Sequence, residues 1–143
     1  MNSETRIGVL GGGSWATALV KLLLNNVNHL HWYIRHEADA VFLKKFKHNP
    51  KYLTSVLFDT EKITFSSDIS ETIGNTDLQI IAIPAPFLEE TIRSYSGDFS
   101  NKFIVSAVKG IIPGHNLTVG EYFNKEYQVP FSSIGVISGP CHA

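Results

Sequence analysis

Cysteine is scarce in this sequence: Cys141 stands alone among 143 residues. Without a second thiol, an intramolecular disulfide scaffold is excluded. No stretch approaches the ~20 apolar residues of a membrane helix, and Met1 to Arg6 is polar where a secretory signal would place its apolar region. A dominant charge is missing too. Twelve Lys and Arg oppose thirteen Asp and Glu, leaving a formal net charge of -1, so no global field points to nucleic acid or an anionic membrane. The six histidines show no H-E-x-x-H or comparable metal spacing, so no metal is expected. No repeat or low-complexity tract divides the chain. The remainder, 43% hydrophobic and 17% charged, is an ordinary globular composition at a common single-domain size. A chain of this length buries roughly 70% of its unfolded surface, enough for a core without staples. The expectation is one soluble, cytoplasmic domain over residues 1–143.

Short β-rich runs alternate with helix-period segments, which argues for an α/β fold: a doubly wound, mostly parallel sheet with helices on both faces. Ile7 to Leu10, His29 to Ile34, Lys62 to Phe65, Leu78 to Ile83, Phe103 to Val108 and Ile134 to Ser138 read as strands. Trp15, Ala18, Leu19, Leu22 and Leu23 form one helical stripe; Ala38, Val41, Phe42 and Lys45 form another. Asp68 with Glu71 matches a capping box for a short helix ending at Gly74, and Phe87 to Tyr95 and Thr118 to Phe123 are helical by spacing. Asn49-Pro50 closes the second helix, and residues 51–58 read as a loop.

Between the first strand and its helix lies Gly11-Gly12-Gly13-Ser14-Trp15-Ala16, which fits the dinucleotide fingerprint G-x-G-x-x-A in its strand-turn-helix context. Gly11 permits the tight turn, Gly13 lets backbone approach a pyrophosphate, and Ala16 lets the helix pack near the sheet. The anion would then rest on free amides at the helix start. A ribose partner belongs near the end of the second strand, where NAD sites usually offer Asp or Glu. This chain offers Arg35-His36. A guanidinium pairs with a 2′-phosphate through two parallel hydrogen bonds, so the residue types favour NADP over NAD. Glu37, one position on, leaves a ribose carboxylate open as an alternative, and a solvated loop cation is the plain reading of Arg35.

With these residues in view, the chain resembles the N-terminal domain of the NAD(P)-dependent glycerol-3-phosphate dehydrogenases. The similarity runs through Gly11 to Ala18 (GGGSWATA), Tyr33 to His36, Asn49 to Leu53 (NPKYL), Ile83-Pro84, Ala107 to Gly110 (AVKG) and Ser138 to Ala143 (SGPCHA). The family reduces dihydroxyacetone phosphate reversibly to sn-glycerol 3-phosphate, usually at the entry to glycerophospholipid synthesis. The resemblance implies cofactor contacts at Gly11, Gly13, Ser14, Trp15, Arg35, His36, Tyr52, Phe87, Lys109 and Ala143. It implies substrate-side positions at Lys109, Gly139 and Cys141, with Lys109 orienting the substrate beside the nicotinamide. Cys141 replaces the family's usual Ser or Thr and is a weak donor, while Ala16 is a tolerated change of the third glycine. The family's proton-transferring lysine belongs to a helical C-terminal domain that nothing here matches. The chain is therefore expected to be a truncated piece that folds and binds dinucleotide without turning over; the complete protein is expected to act on a small-molecule substrate, as a homodimer.

The residues speak for themselves only in part. Lys109 follows a buried run, at the strand end where open α/β sheets bind ligands, and a fixed ammonium there could steady negative charge during hydride transfer; a surface lysine in a Lys-Gly turn fits as well. Phe87, Trp15 and Tyr52 read equally as core aromatics. Another dehydrogenase of similar architecture, of the ketopantoate reductase or 6-phosphogluconate dehydrogenase type, is the nearest alternative. A non-catalytic NADP-sensing module is the alternative from another class.

Overall fold

Six short apolar runs become strands in one parallel sheet. In the computed structural model, which describes residues 5–138, they are β1 (Ile7–Leu10), β2 (Leu30–Tyr33), β3 (Ile63–Ser66), β4 (Leu78–Ile81), β5 (Phe103–Ser106) and β6 (Ile134–Val136). One α-helix joins each strand to the next: α1 (Ser14–Leu23), α2 (Glu37–Phe46), α3 (Ile69–Gly74), α4 (Ala85–Arg93) and α5 (Val119–Tyr127). The strand order is β3-β2-β1-β4-β5-β6, with every neighbouring pair parallel. This is the Rossmann order, in which the two halves of the chain leave the central β1 in opposite directions.

Side chains alternate between the two faces of the strands, and two cores result. Val9, Trp32 and Ile80 pack with Leu19, Val20 and Leu43 from α1 and α2 on one face. Leu10, Ile81 and Ile104 pack with Ile73, Leu88 and Phe123 from α3, α4 and α5 on the other. The expected fold class is therefore the one formed.

Details differ where tertiary contact overrode local pattern. In α2 the buried pair is Ala40 and Leu43, while Ala38 and Val41 face outward, because the helix meets the sheet along a narrower seam than the apolar stripe suggests. Phe103 is half exposed, since β5 has only the short β6 beyond it. Asp68 does cap α3, accepting from the Ser70 amide at 2.8 Å, but Glu71 turns to the Ser66 hydroxyl and leaves the box unmade. The reciprocal box forms instead on α5: Glu121 accepts from the Thr118 amide at 2.8 Å while Thr118 Oγ1 accepts from the Glu121 amide. Helix α4 begins two residues before the expected start, taking Pro86 into its first turn, where no amide hydrogen is needed.

At the amino edge of the sheet, Arg6 clasps Asp77, bringing the starts of β1 and β4 together. The Arg6 amide and guanidinium both donate to this carboxylate, at 3.1, 3.1 and 2.8 Å. Those hydrogen bonds hold the Asp77 carboxyl at about 2, below its ordinary 3.8. Just above, Gly8 faces Gln79 across the β1–β4 ladder. Gln79 is fully buried and donates to Thr76, while its Oε1 has no partner and lies against the bare Gly8 backbone.

Two outcomes follow from these contacts. A methyl at Gly8 would sit 2.8 Å from both Gln79 Oε1 and Thr76 Oγ1, so Gly8→Ala should cost about 1–3 kcal/mol in urea denaturation. Asp77→Asn should lower stability at pH 7. A depressed carboxyl stabilises the fold above its unfolded value and loses that contribution as the pH falls through its folded value, so the gap to wild type should close between 3.8 and about 2. A gap of constant size between pH 7 and pH 2 would refute the assignment.

Candidate functional site

The carboxyl ends of β1, β2, β4 and β5 converge on one cleft, where a doubly wound sheet changes direction. Its floor is the turn after β1. Gly11 adopts φ +129°, and its amide donates to the Tyr33 carbonyl at 3.1 Å. A Cβ there would lie 2.4 Å from the Ala82 carbonyl oxygen, so only glycine fits between β2 and β4. Gly13 differs. It is the extended N-cap of α1, and a Cβ on it would meet nothing within 4 Å. The first glycine is required by the protein, whereas the third leaves open space above the helix start. Ala16 is fully buried, as a close helix-to-sheet approach demands.

All three glycine carbonyls are held by side chains. Trp32 Nε1 donates to Gly11 O at 2.7 Å, Asn49 Nδ2 to Gly12 O at 3.3 Å, and Thr17 Oγ1 to Gly13 O at 2.7 Å. Trp32 and Thr17 are fully buried and Asn49 is 4% exposed, so the carbonyls are drawn into the protein. The amides of Ser14, Trp15 and Ala16 have no acceptor within the helix, and no side chain caps α1. Its first turn carries no acidic residue and its last carries Lys21, the polarity that favours an anion at the start. Asn49 also accepts from the Lys51 and Tyr52 amides at 2.9 and 3.1 Å.

Two cavities flank this helix start. The larger, about 590 Å³, is walled by Leu53, Pro84, Pro86, Val108 and Lys109. The smaller, about 280 Å³, runs over the glycine turn to Tyr33, Arg35 and Phe87. They adjoin along Ser14, Trp15 and Ala82 to Pro84. Among the described lining residues the charged side chains are Arg35 at one end and Lys109 at the other, with no carboxylate between. Burial raises the Tyr33 hydroxyl above its ordinary value, so it enters the cleft neutral.

The structure thus gathers Gly11, Gly13, Ser14, Trp15, Arg35, Phe87 and Lys109 around one cleft. Trp15 and Phe87 are 43% and 54% exposed, which removes the core reading of both. Tyr52 is exposed as well, but its neighbour Leu53, not Tyr52, lines the cavity. His36 occupies the N-cap position of α2 without a side-chain capping bond, is exposed, and lines neither cavity. Gly139, Cys141 and Ala143 lie outside the described residues. Sequence reasoning missed Trp32, Thr17 and Asn49, because each looks like ordinary strand, helix or helix-stop material until its burial is known.

A family sequence profile described as "NAD-dependent glycerol-3-phosphate dehydrogenase N-terminus" matches residues 6–143. The chain is 33% identical over 141 residues to a glycerol-3-phosphate dehydrogenase [NAD(P)+] of Agathobacter rectalis, covering 97% of this chain and 41% of that protein. A protein of the same name from Pseudomonas aeruginosa is 31% identical over 142 residues, covering 98% and 40%. Among solved structures, the glycerol-3-phosphate dehydrogenase of Plasmodium falciparum superposes with a TM-score of 0.80 at 26% identity, over 96% of this chain and 41% of the other. The chain therefore spans about two fifths of the length of the relatives it matches.

The two glycines should behave oppositely on substitution. Gly11→Ala must relieve both a 2.4 Å approach and an unfavourable φ, so a loss of at least about 2 kcal/mol in denaturant unfolding is expected. Gly13→Ala should leave stability unchanged or raise it by up to about 1 kcal/mol, by restricting the unfolded chain. Equal losses at both positions would contradict this division of labour.

Proposed function

The chain belongs to the NAD-dependent glycerol-3-phosphate dehydrogenase N-terminal family, and from that premise we propose that it is the cofactor half of an enzyme interconverting dihydroxyacetone phosphate and sn-glycerol 3-phosphate. Its cofactor is a nicotinamide dinucleotide, NAD or NADP. The observation that carries the reading is the continuous cleft over the α1 start, with amides and cations and no carboxylate along its described lining. Such a lining suits a diphosphate with a ring system at each end. Open space at Gly13 and the inward-drawn carbonyls meet the same need.

In this reading Ser14 and Trp15, with the helix-start amides, hold the diphosphate. Arg35 and Phe87 sit toward the adenosine end, with His36 at the entry to α2. Tyr52, Lys109 and Ala143 belong to the cofactor contacts, and Lys109, Gly139 and Cys141 to the substrate side. The dinucleotide supplies or accepts the hydride. Lys109, just beyond β5 and lining the larger cavity, orients the substrate oxygen and steadies the negative charge that develops on it. Proton transfer is left to a part of the complete protein beyond these residues. The reading extends to a cytoplasmic enzyme feeding glycerophospholipid synthesis.

The decisive assay is oxidation of NADPH and NADH by the full-length protein carrying this chain, with dihydroxyacetone phosphate and with ketopantoate as substrates. Turnover with the triose phosphate alone is expected; turnover with ketopantoate alone, or dinucleotide binding with neither, overturns the proposal. For cofactor choice, Arg35→Asp should weaken NADPH binding about tenfold or more, and NADH less, because the charge-assisted pair to a 2′-phosphate is lost. Equal losses would sink the 2′-phosphate role. Gly13→Ala should weaken both cofactors while the fold stays intact.

A further inference from the structure

Asn49 lies in the segment after α2, outside any helix or strand, yet its side chain is built into the protein as a strut. Its carboxamide is nearly inaccessible, at 4% exposure, and every hydrogen-bonding position on it is used. The two Nδ2 hydrogens go to Gly12 O and Thr17 Oγ1, at 3.3 and 3.0 Å. The Oδ1 accepts from the Lys51 and Tyr52 amides. Thr17 donates its own hydroxyl hydrogen bond to Gly13 O, so the donors run in one direction from Tyr52 through Asn49 and Thr17 to the glycine turn. Hydrogen bonds aligned this way polarise one another. The carboxamide is planar, which fixes the turn on its donor side relative to the chain on its acceptor side.

That chain leads directly into the larger cavity. Leu53, one residue on, lines it and is held at φ +47°, a left-handed conformation unfavourable for leucine that persists only where neighbours determine it. Lys51 is pinned to Asp39 of α2 at 2.7 Å. Asn49 is therefore the joint between the phosphate floor, the Leu53 wall and the helix that follows Arg35.

We infer that Asn49 is a positioning residue that couples the floor of the cleft to its Leu53 wall: a diphosphate seated on the glycine turn tightens the Tyr52–Leu53 segment through this one side chain. The inference rests on the dinucleotide reading above. ADP is the separating probe, because it presents a diphosphate and an adenosine but no nicotinamide. In the wild-type chain, ADP should slow hydrogen exchange at the Lys51 and Tyr52 amides. In Asn49→Ala, ADP should still bind but no longer protect those amides, and NADPH should bind about tenfold more weakly, with a smaller loss for ADP. Asn49→Asp keeps the acceptor side and loses both donors, so it preserves the local turn and keeps the test available should the alanine variant fail to fold; it too should lose the ADP-dependent protection. A purely structural role would lower the melting temperature and leave the ADP-to-NADPH affinity ratio unchanged. An unchanged ratio, or protection that survives in the variants, overturns the coupling. Failure of the wild-type chain to bind either nucleotide overturns the dinucleotide reading itself, and the coupling with it.

Discussion

The rest of the structure depends on a single tight passage, the squeeze of Gly11 between β2 and β4. Its amide is taken by Tyr33, its carbonyl by Trp32, and its missing Cβ leaves room for the Ala82 carbonyl. These contacts lock the ends of three central strands together at the point where the chain must leave the sheet. The direction of α1 is fixed by the same contacts, since the helix begins three residues later. Ala16 and Thr17 then meet the sheet without a gap. A chain forced through this passage has its next amides aimed outward, because the carbonyls have been claimed from inside.

Strand order turns that local geometry into a cleft. The halves of the sheet depart from β1 in opposite directions, so α1 and α4 rise on opposite faces and leave a crevice between the β1 and β4 ends. The segment after β4 supports one side: Pro84 precedes α4 and Pro86 lies in its first turn, both positions where the absent amide hydrogen costs nothing. The segment after β5 carries Lys109 to the other side.

What was legible in the sequence follows from which forces are local. The strand-glycine-helix signature, the alternation of elements and the capping residue Asp68 depend on neighbours in the chain, and they were readable. So were the cleft positions of Trp15, Arg35, Phe87 and Lys109, once a family pattern supplied their order. The hydrogen bonds from Trp32 to Gly11 and from Asn49 to Gly12 and Thr17 span 21 to 37 residues in sequence, and no local pattern encodes them. The capping boxes make the same point on a small scale. Two candidate pairs have the right spacing, but Glu71 finds a closer partner in Ser66 supplied by β3, while Glu121 meets no rival and completes its box. Amphipathic stripes fail for a related reason: Trp15 belongs to the helical repeat, yet the cleft, not the core, lies beside it.

Net charge misleads here in an instructive way. A formal charge of -1 gives no reason to expect an anionic ligand, and on the scale of the whole molecule that is correct. Screening confines exposed charges to a range of about 8–10 Å in physiological salt, so a ligand senses only what lines its cleft. There the balance is one-sided: Arg35, Lys109 and the start of α1, with the carboxylates placed elsewhere. Asp39 is paired with Lys51, Glu89 with Arg93 and His115, and Asp77 with Arg6 at the opposite edge of the sheet. What makes the site attractive to an anion is that its described lining carries two cations and no carboxylate. A domain can therefore stay electrically neutral overall and still hold a polyanionic ligand at one defined place.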